Sequence, residues 1–270
     1  MRARLILQAA IENLIIRAIC LWLLLIAGPT CADTSLRFYY FNPDSPQNNL
    51  VRLKNDMQNL LDGLGFSVEF QPFARLTDFD RGLRKDRPSF VFVPGWYLHR
   101  YGKELKLRPM LQSVRDNRRS YRKLLIASRR FFNSARIPGR TSLAMTSLGP
   151  DSADILNGIL SSDEILDTGN LNIVEVPKDA DAIFAVALGQ VDVALVSQAS
   201  LKRLRAKNPR LIDSLRVLGE SEPLAMPVLV VLEGAVATNR QNQFKRFMIS
   251  TQDSPVMETL RIDGWSVHND

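Results

Sequence analysis

Ser120-Tyr121-Arg122-Lys123 has the S-x-x-K spacing that can set a serine hydroxyl beside a lysine amine, the nucleophile arrangement of penicillin-recognising enzymes. The S-D-N and K-T-G companions of that machinery do not occur in the chain, and so short a pattern arises readily by chance. Asp151 with Asp154, and Asp179 with Asp181, are close enough in sequence for one carboxyl to act as acid while the other stays ionised. A solvated helix terminus explains each pair more simply, because acids in a first turn complement the helix dipole. His99 and His268 are the only histidines, and no H-E-x-x-H, G-x-S-x-G, P-loop or G-x-G-x-x-G is present. An enzyme is therefore not expected, and neither a metal nor a cofactor is required.

The densest charge run, Arg115-Asp116-Asn117-Arg118-Arg119-Ser120-Tyr121-Arg122-Lys123, offers binding rather than catalysis. Charge is unevenly spread: from Asp33 to Arg140, 21 Lys and Arg stand against 10 Asp and Glu, and from Thr141 to Asp270, 11 stand against 17. That asymmetry predicts two bodies with different surfaces. No helix-turn-helix, zinc or stacking-aromatic signature accompanies the basic run, so nucleic acid is not the expected partner. Arg115, Arg118, Arg119, Arg122 and Lys123 are expected on a solvated face, with docking to an acidic partner or an anionic lipid as the functional alternative.

Arg2, Arg4 and Arg17 precede a short apolar run, Ala18 to Gly28, which leads to Pro29-Thr30-Cys31-Ala32. This reads as a secretory signal peptide cleaved after Ala32, since the run falls short of the roughly 18 residues a bilayer span needs. A retained membrane anchor is the alternative. Cys20 and Cys31 are the only cysteines, so cleavage leaves a chain without disulfides, which suits the periplasm. With 270 residues, 46% of them apolar and 23% charged, the chain is long enough for a well-buried core and excludes disorder.

The elements that must position any site alternate. Leu36 to Phe41 reads as a strand ending in the turn set Asn42-Pro43-Asp44-Ser45-Pro46, and Leu50, Leu53, Met57, Leu60, Leu61 and Leu64 follow at helical spacing. Phe66 to Phe70 alternates as a half-buried strand, Leu76 to Leu83 reads as a helix, and Phe90 to Val93 reads as a buried parallel strand. Leu124 to Ala127, Leu143 to Met145, Ile173 to Val176, Val191 to Val196 and Val228 to Leu232 continue the strand pattern. Helices are expected from Pro150, from about Ala180 to Leu188, and over Phe244 to Met248 and Val256 to Leu260. Strands separated by helices imply an α/β fold with parallel-rich sheets flanked by helices.

The order of motifs resembles the phosphate/phosphite/phosphonate-binding branch of the type II periplasmic solute-binding proteins of ABC transporters. The likeness is carried by Tyr39-Tyr40-Phe41-Asn42-Pro43, by Pro94-Gly95-Trp96-Tyr97 after a strand, by Ile137-Pro138-Gly139-Arg140 before a strand ending in Thr146-Ser147, by Ala187-Leu188-Gly189-Gln190-Val191-Asp192, and by the closing segment Glu258 to Trp265. The resemblance implies a two-lobed fold with a ligand cleft between the lobes: residues 33–128 in lobe 1, 129–222 in lobe 2 and 223–270 returning to lobe 1. It implies ligand contacts from Tyr40, Asn42, Tyr97, Thr146, Ser147, Ser152 and Asp192. The expected role is a monomeric periplasmic protein closing on a small, anionic, phosphate- or phosphonate-like ligand for an ABC permease. The alternative is a ligand-sensing or partner-docking role for a membrane signalling protein, with a degenerate cleft. Where relatives continue the hydroxyl loop with serine and glycine, this chain has Leu148-Gly149-Pro150-Asp151, which sets a carboxylate at the helix end where a phosphoryl group would dock.

Overall fold

Successive aromatics in the run Leu36–Phe41 point to opposite faces of the strand they form, β1, and both faces are buried. Phe38 and Tyr40 enter one apolar cluster, Tyr39 and Phe41 the other. In the computed structural model, which describes residues 36–44, 49–128, 131, 141–147, 156 and 171–267, β1 lies in a six-stranded sheet. Its partners are β2 (Val68–Phe73), β3 (Phe90–Val93), β4 (Leu107–Val114), β12 (Val228–Leu232) and β13 (Gly264–Val267), in the order β13-β4-β12-β3-β1-β2. Helix α1 (Leu50–Leu61) covers one face with Leu53, Met57 and Leu61, helped by α7 (Thr238–Ser250), whose Phe244 ring stacks on Phe90 at 3.8 Å. Helices α2 (Leu76–Asp86) and α3 (Gly95–Tyr101) cover the other through Phe79, Leu83 and Tyr97. Full burial of each such side chain contributes about 1.5–3 kcal/mol.

A second sheet runs in the order β10-β6-β9-β7-β8, formed by β6 (Lys123–Ser128), β7 (Ser142–Thr146), β8 (Asn172–Val176), β9 (Val193–Ser197) and β10 (Leu215–Glu220). β7 pairs parallel with β8 and β9, while β6 pairs antiparallel with β9 and β10. Helices α4 (Asp179–Ala187), α5 (Gln198–Lys207) and α6 (Pro209–Ile212) belong to this half, and α8 (Pro255–Leu260) to the first.

The chain crosses between the sheets twice, and the two crossings pair with each other. β5 (Ser120–Tyr121) leads from the first sheet into β6, β11 (Leu224–Ala225) leads back from β10 into β12, and the two form an antiparallel ribbon. Because β6 begins at Lys123, the passage to the second sheet precedes the expected residue 129. The apolar run 124–127 belongs to β6 of the second sheet. β12, expected to be a buried strand, is buried throughout and antiparallel to both neighbours. The Pro94-Gly95-Trp96-Tyr97 segment is the start of helix α3. Gly95 is required there because a Cβ would meet the Ala225 Cβ at 2.6 Å and its carbonyl oxygen at 2.7 Å. The expected helix at Pro150 lies outside the described residues, apart from Leu156, which is helical and buried.

Candidate ligand cleft

Parallel strands of both sheets deliver their carboxyl ends to one region, the place where open α/β sheets bind ligands. Asp44 follows the end of β1, Thr146 is the last residue of β7, Ser197 the last of β9, and Asp179 opens α4 after β8. Lys123 joins them because β6 runs antiparallel to β9 and pairs its first residue with Ser197.

These residues form one buried polar cluster. The Lys123 Nζ has no exposed surface and donates to Asp44 Oδ1 at 2.6 Å and to Thr146 Oγ1 at 3.1 Å. Thr146 Oγ1 donates to the same carboxylate oxygen at 2.8 Å, and the Tyr121 hydroxyl donates to Asp44 Oδ2. The Asp44 carboxylate, supplied by the first-sheet half, is thus held by three donors from the second sheet and the ribbon. Asp179 accepts at Oδ2 from the Ser197 amide at 2.9 Å and hydroxyl at 2.6 Å. Its Oδ1, 3.9 Å from the Lys123 Nζ, has no hydrogen-bond partner among the described residues, and neither does the buried Asn42 Oδ1.

Burial would lower the Lys123 pKa, but Asp44 and Asp179 outweigh it and hold it above the ordinary lysine value. Burial raises the Asp179 carboxyl to about 6, with the Asp44 charge adding to the rise and Lys123 opposing it. The Tyr121 hydroxyl is raised by burial and by Asp44, so it remains a donor. Cavities flank the cluster. One of about 330 Å³ lies toward β2 and β8, lined by Phe41, Pro43, Arg75, Thr77, Ser147 and Glu175. A smaller one of about 50 Å³, lined by Asn42, Asp44, Tyr121 and Ser197, lies on the other side.

The expected site residues divide. Thr146 is in the cluster, Ser147 lines the larger cavity and Asn42 the smaller. Tyr40 is stacked on Phe92 at 5.2 Å within the first core. Tyr97 is fully buried in α3 and its hydroxyl donates to Asp80 at 2.8 Å, so its ring packs the core beneath Phe79. Asp192 is at the opposite, amino end of β7 and β9, where it accepts from the Ser142 amide at 2.8 Å and hydroxyl at 2.6 Å. Ser152, Asp151 and Asp154 lie outside the described residues. Lys123 corrects the expectation of a solvated basic face: antiparallel pairing with Ser197 turns it inward, while Arg118 and Arg119 are exposed. The Lys123 Nζ bonds Asp44 and Thr146, and Ser120 is in the crossing ribbon. Sequence reasoning missed Asp44, Tyr121, Lys123, Asp179 and Ser197 as a group. The available signal was a lone lysine heading the wholly apolar run Leu124 to Ala127.

The family model for the phosphonate periplasmic substrate-binding protein of ABC transporters matches residues 39–270. Among solved structures, a binding-protein component of an ABC phosphonate transporter from Pseudomonas aeruginosa is 16% identical, with TM-score 0.68, over 87% of this chain and 82% of its own. The PhnD1 protein of Prochlorococcus marinus, solved in complex with methylphosphonate, is 10% identical, with TM-score 0.69, over 88% of this chain and 94% of its own. A histidine kinase sensor domain with similarity to periplasmic binding proteins is 16% identical, with TM-score 0.52, over 84% of this chain and 94% of its own. A search of curated proteins finds no significant match.

Proposed function

This chain belongs to the family of periplasmic substrate-binding proteins of phosphonate ABC transporters, and we propose that it captures a small phosphonate- or phosphate-class oxyanion at the Lys123 cluster and presents it to a permease. The observation that carries this reading is the donor set around Asp44. A lysine ammonium, a threonine hydroxyl and a tyrosine hydroxyl converge on two carboxylate oxygens, the type of arrangement that charge-assisted recognition of a phosphoryl oxyanion uses.

In the ligand-bound state the phosphoryl oxygens take the place of the Asp44 carboxylate. A dianion with three acceptor oxygens competes well against a single carboxylate, because it accepts the same bonds and adds charge opposite Lys123. Ser147 and Arg75, on the wall of the larger cavity, are the groups we assign to the rest of the ligand. The protein binds and releases its ligand unchanged, since the cluster supplies donors and counter-charge but no activated nucleophile.

Calorimetric titration with methylphosphonate and inorganic phosphate tests the reading. The expected result is saturable binding that Lys123→Met weakens by about tenfold to a hundredfold, the equivalent of about 1.5–3 kcal/mol for a charge-assisted bond. Binding unchanged in a folded Lys123→Met protein would remove the cluster from ligand recognition.

A further inference from the structure

A third cavity, of about 380 Å³, opens beside the crossing ribbon, and its walls are basic. Arg115, Arg118, Arg122 and Lys202 line it, against the single carboxylate of Asp116. Some arginines elsewhere are matched to acids: Arg84 bridges Asp80 and Glu104, and Arg52 meets Asp56. Among the described residues none of these four cations has an ion-pair partner within 4.0 Å. Four like charges around one concavity repel one another, a cost that Asp116 and the nearby Asp263 offset in part and that an anion would relieve further.

The backbone that carries Arg115 and Arg118 is held in a tight turn. Arg115 and Arg118 exchange both backbone hydrogen bonds, at 3.0 and 2.8 Å. The two residues between them, Asp116 (φ 50°) and Asn117 (φ 59°), both take the left-handed conformation that a tight two-residue hairpin requires. The turn is tied down by the Asp263 carboxylate, which accepts from the Asp116 amide. Arg122 is anchored through Nη1 to the Ser221 carbonyl. Beside Arg122 stands the start of α5, whose Gln198 amide donates to the Arg122 carbonyl at 3.1 Å and whose first turn carries no acidic residue. Burial lowers the Arg115 pKa, with Asp116 and Asp263 opposing the shift and Arg261 adding to it.

We propose that this cavity, which adjoins the Lys123 cluster at Tyr121, is a second anion site that takes a small polyanion carrying two or more phosphoryl groups. A phosphoryl group carries about −1.5 to −2 at pH 7, so two of them match the excess of cations over Asp116. Guanidinium groups suit them because each can donate two parallel hydrogen bonds to phosphoryl oxygens. Ser120 and Gln198, both in its lining, add neutral donors.

The test is calorimetric titration of the purified protein with inorganic pyrophosphate, in wild type and in the double variant Arg118→Glu with Lys202→Glu. Both side chains are exposed, so the folded core is left intact. Pyrophosphate should bind wild type, more weakly as salt rises, and the double variant should lose at least tenfold in affinity while still binding methylphosphonate as wild type does. Saturating methylphosphonate should leave pyrophosphate binding in place. Three outcomes overturn the proposal: no pyrophosphate binding, equal binding by the double variant, or mole-for-mole competition by methylphosphonate. The last would assign both anions to the Lys123 cluster, whereas loss of methylphosphonate binding alone would count only against the proposed function.

Discussion

A lysine with no exposed surface is tolerated only when its charge is answered, because an isolated buried ammonium would shed its proton. Lys123 is answered twice, by Asp44 at 2.6 Å and Asp179 at 3.9 Å, which leaves the cluster with more negative than positive groups. Asp179 carries the consequence. Burial lifts its pKa from 3.8 to about 6, so the folded protein holds this proton more tightly than the unfolded chain does. Its contribution to stability is fully present below pH 3.8 and is lost as pH rises through about 6. Urea denaturation of wild type and Asp179→Asn across pH 4 to 7 should therefore show wild type losing ground to the variant as pH rises. A difference that is flat across that range would mean that Asp179 is not held in the raised state.

Helix α3 and the strand β11 it touches show how elements set the geometry of the cluster. Tyr121, which donates to Asp44, is in β5, and β5 is positioned by its pairing with β11. Gly95 of α3 packs directly on Ala225 of β11. The substitution Gly95→Ala should force the ribbon away from α3 and destabilise the protein by about 1–3 kcal/mol, the usual cost of overpacking, and a lowered urea midpoint would register it. An unchanged midpoint would show that the ribbon yields freely. This contact also marks where the sequence was hard to read. Strands such as Phe90 to Val93 and Val228 to Leu232 announce themselves by uninterrupted apolar character. β4 does not, because Arg108 and Pro109 break its pattern, and the register shift between Leu229 and Val230 on its neighbour β12 accommodates that irregularity. The cluster was legible only in part: Thr146 and Ser147 stood out as hydroxyls at a strand end. Asp44 looked like any turn residue and Lys123 like one more charge in a basic run. Their partnership joins residues 79 apart, and no local pattern encodes it.

At the scale of the whole molecule, the Lys123–Asp44 bond joins the half built on the first sheet to the half built on the second, so under the proposed function ligand capture and closure act on the same atoms. A ligand that replaces Asp44 must bring its own acceptors for Lys123, Thr146 and Tyr121. Export is a second whole-chain matter. Residues 1–32 carry the signal-peptide pattern, and mass spectrometry of the periplasmic fraction should find a chain that starts at Asp33. Recovery of the intact leader in the membrane fraction would point instead to a retained anchor. No helix among the described residues is long and apolar enough to cross a membrane.

The most direct test of the displaced-carboxylate account is calorimetric titration of Asp44→Asn with methylphosphonate, beside wild type. The substitution keeps the shape of the side chain and removes the charge that occupies the proposed oxyanion seat. The account predicts affinity tighter by about tenfold or more, because the ligand no longer competes with an internal carboxylate for Lys123. Affinity that falls, in a variant that remains folded, would contradict it and identify Asp44 as a group that the ligand itself needs.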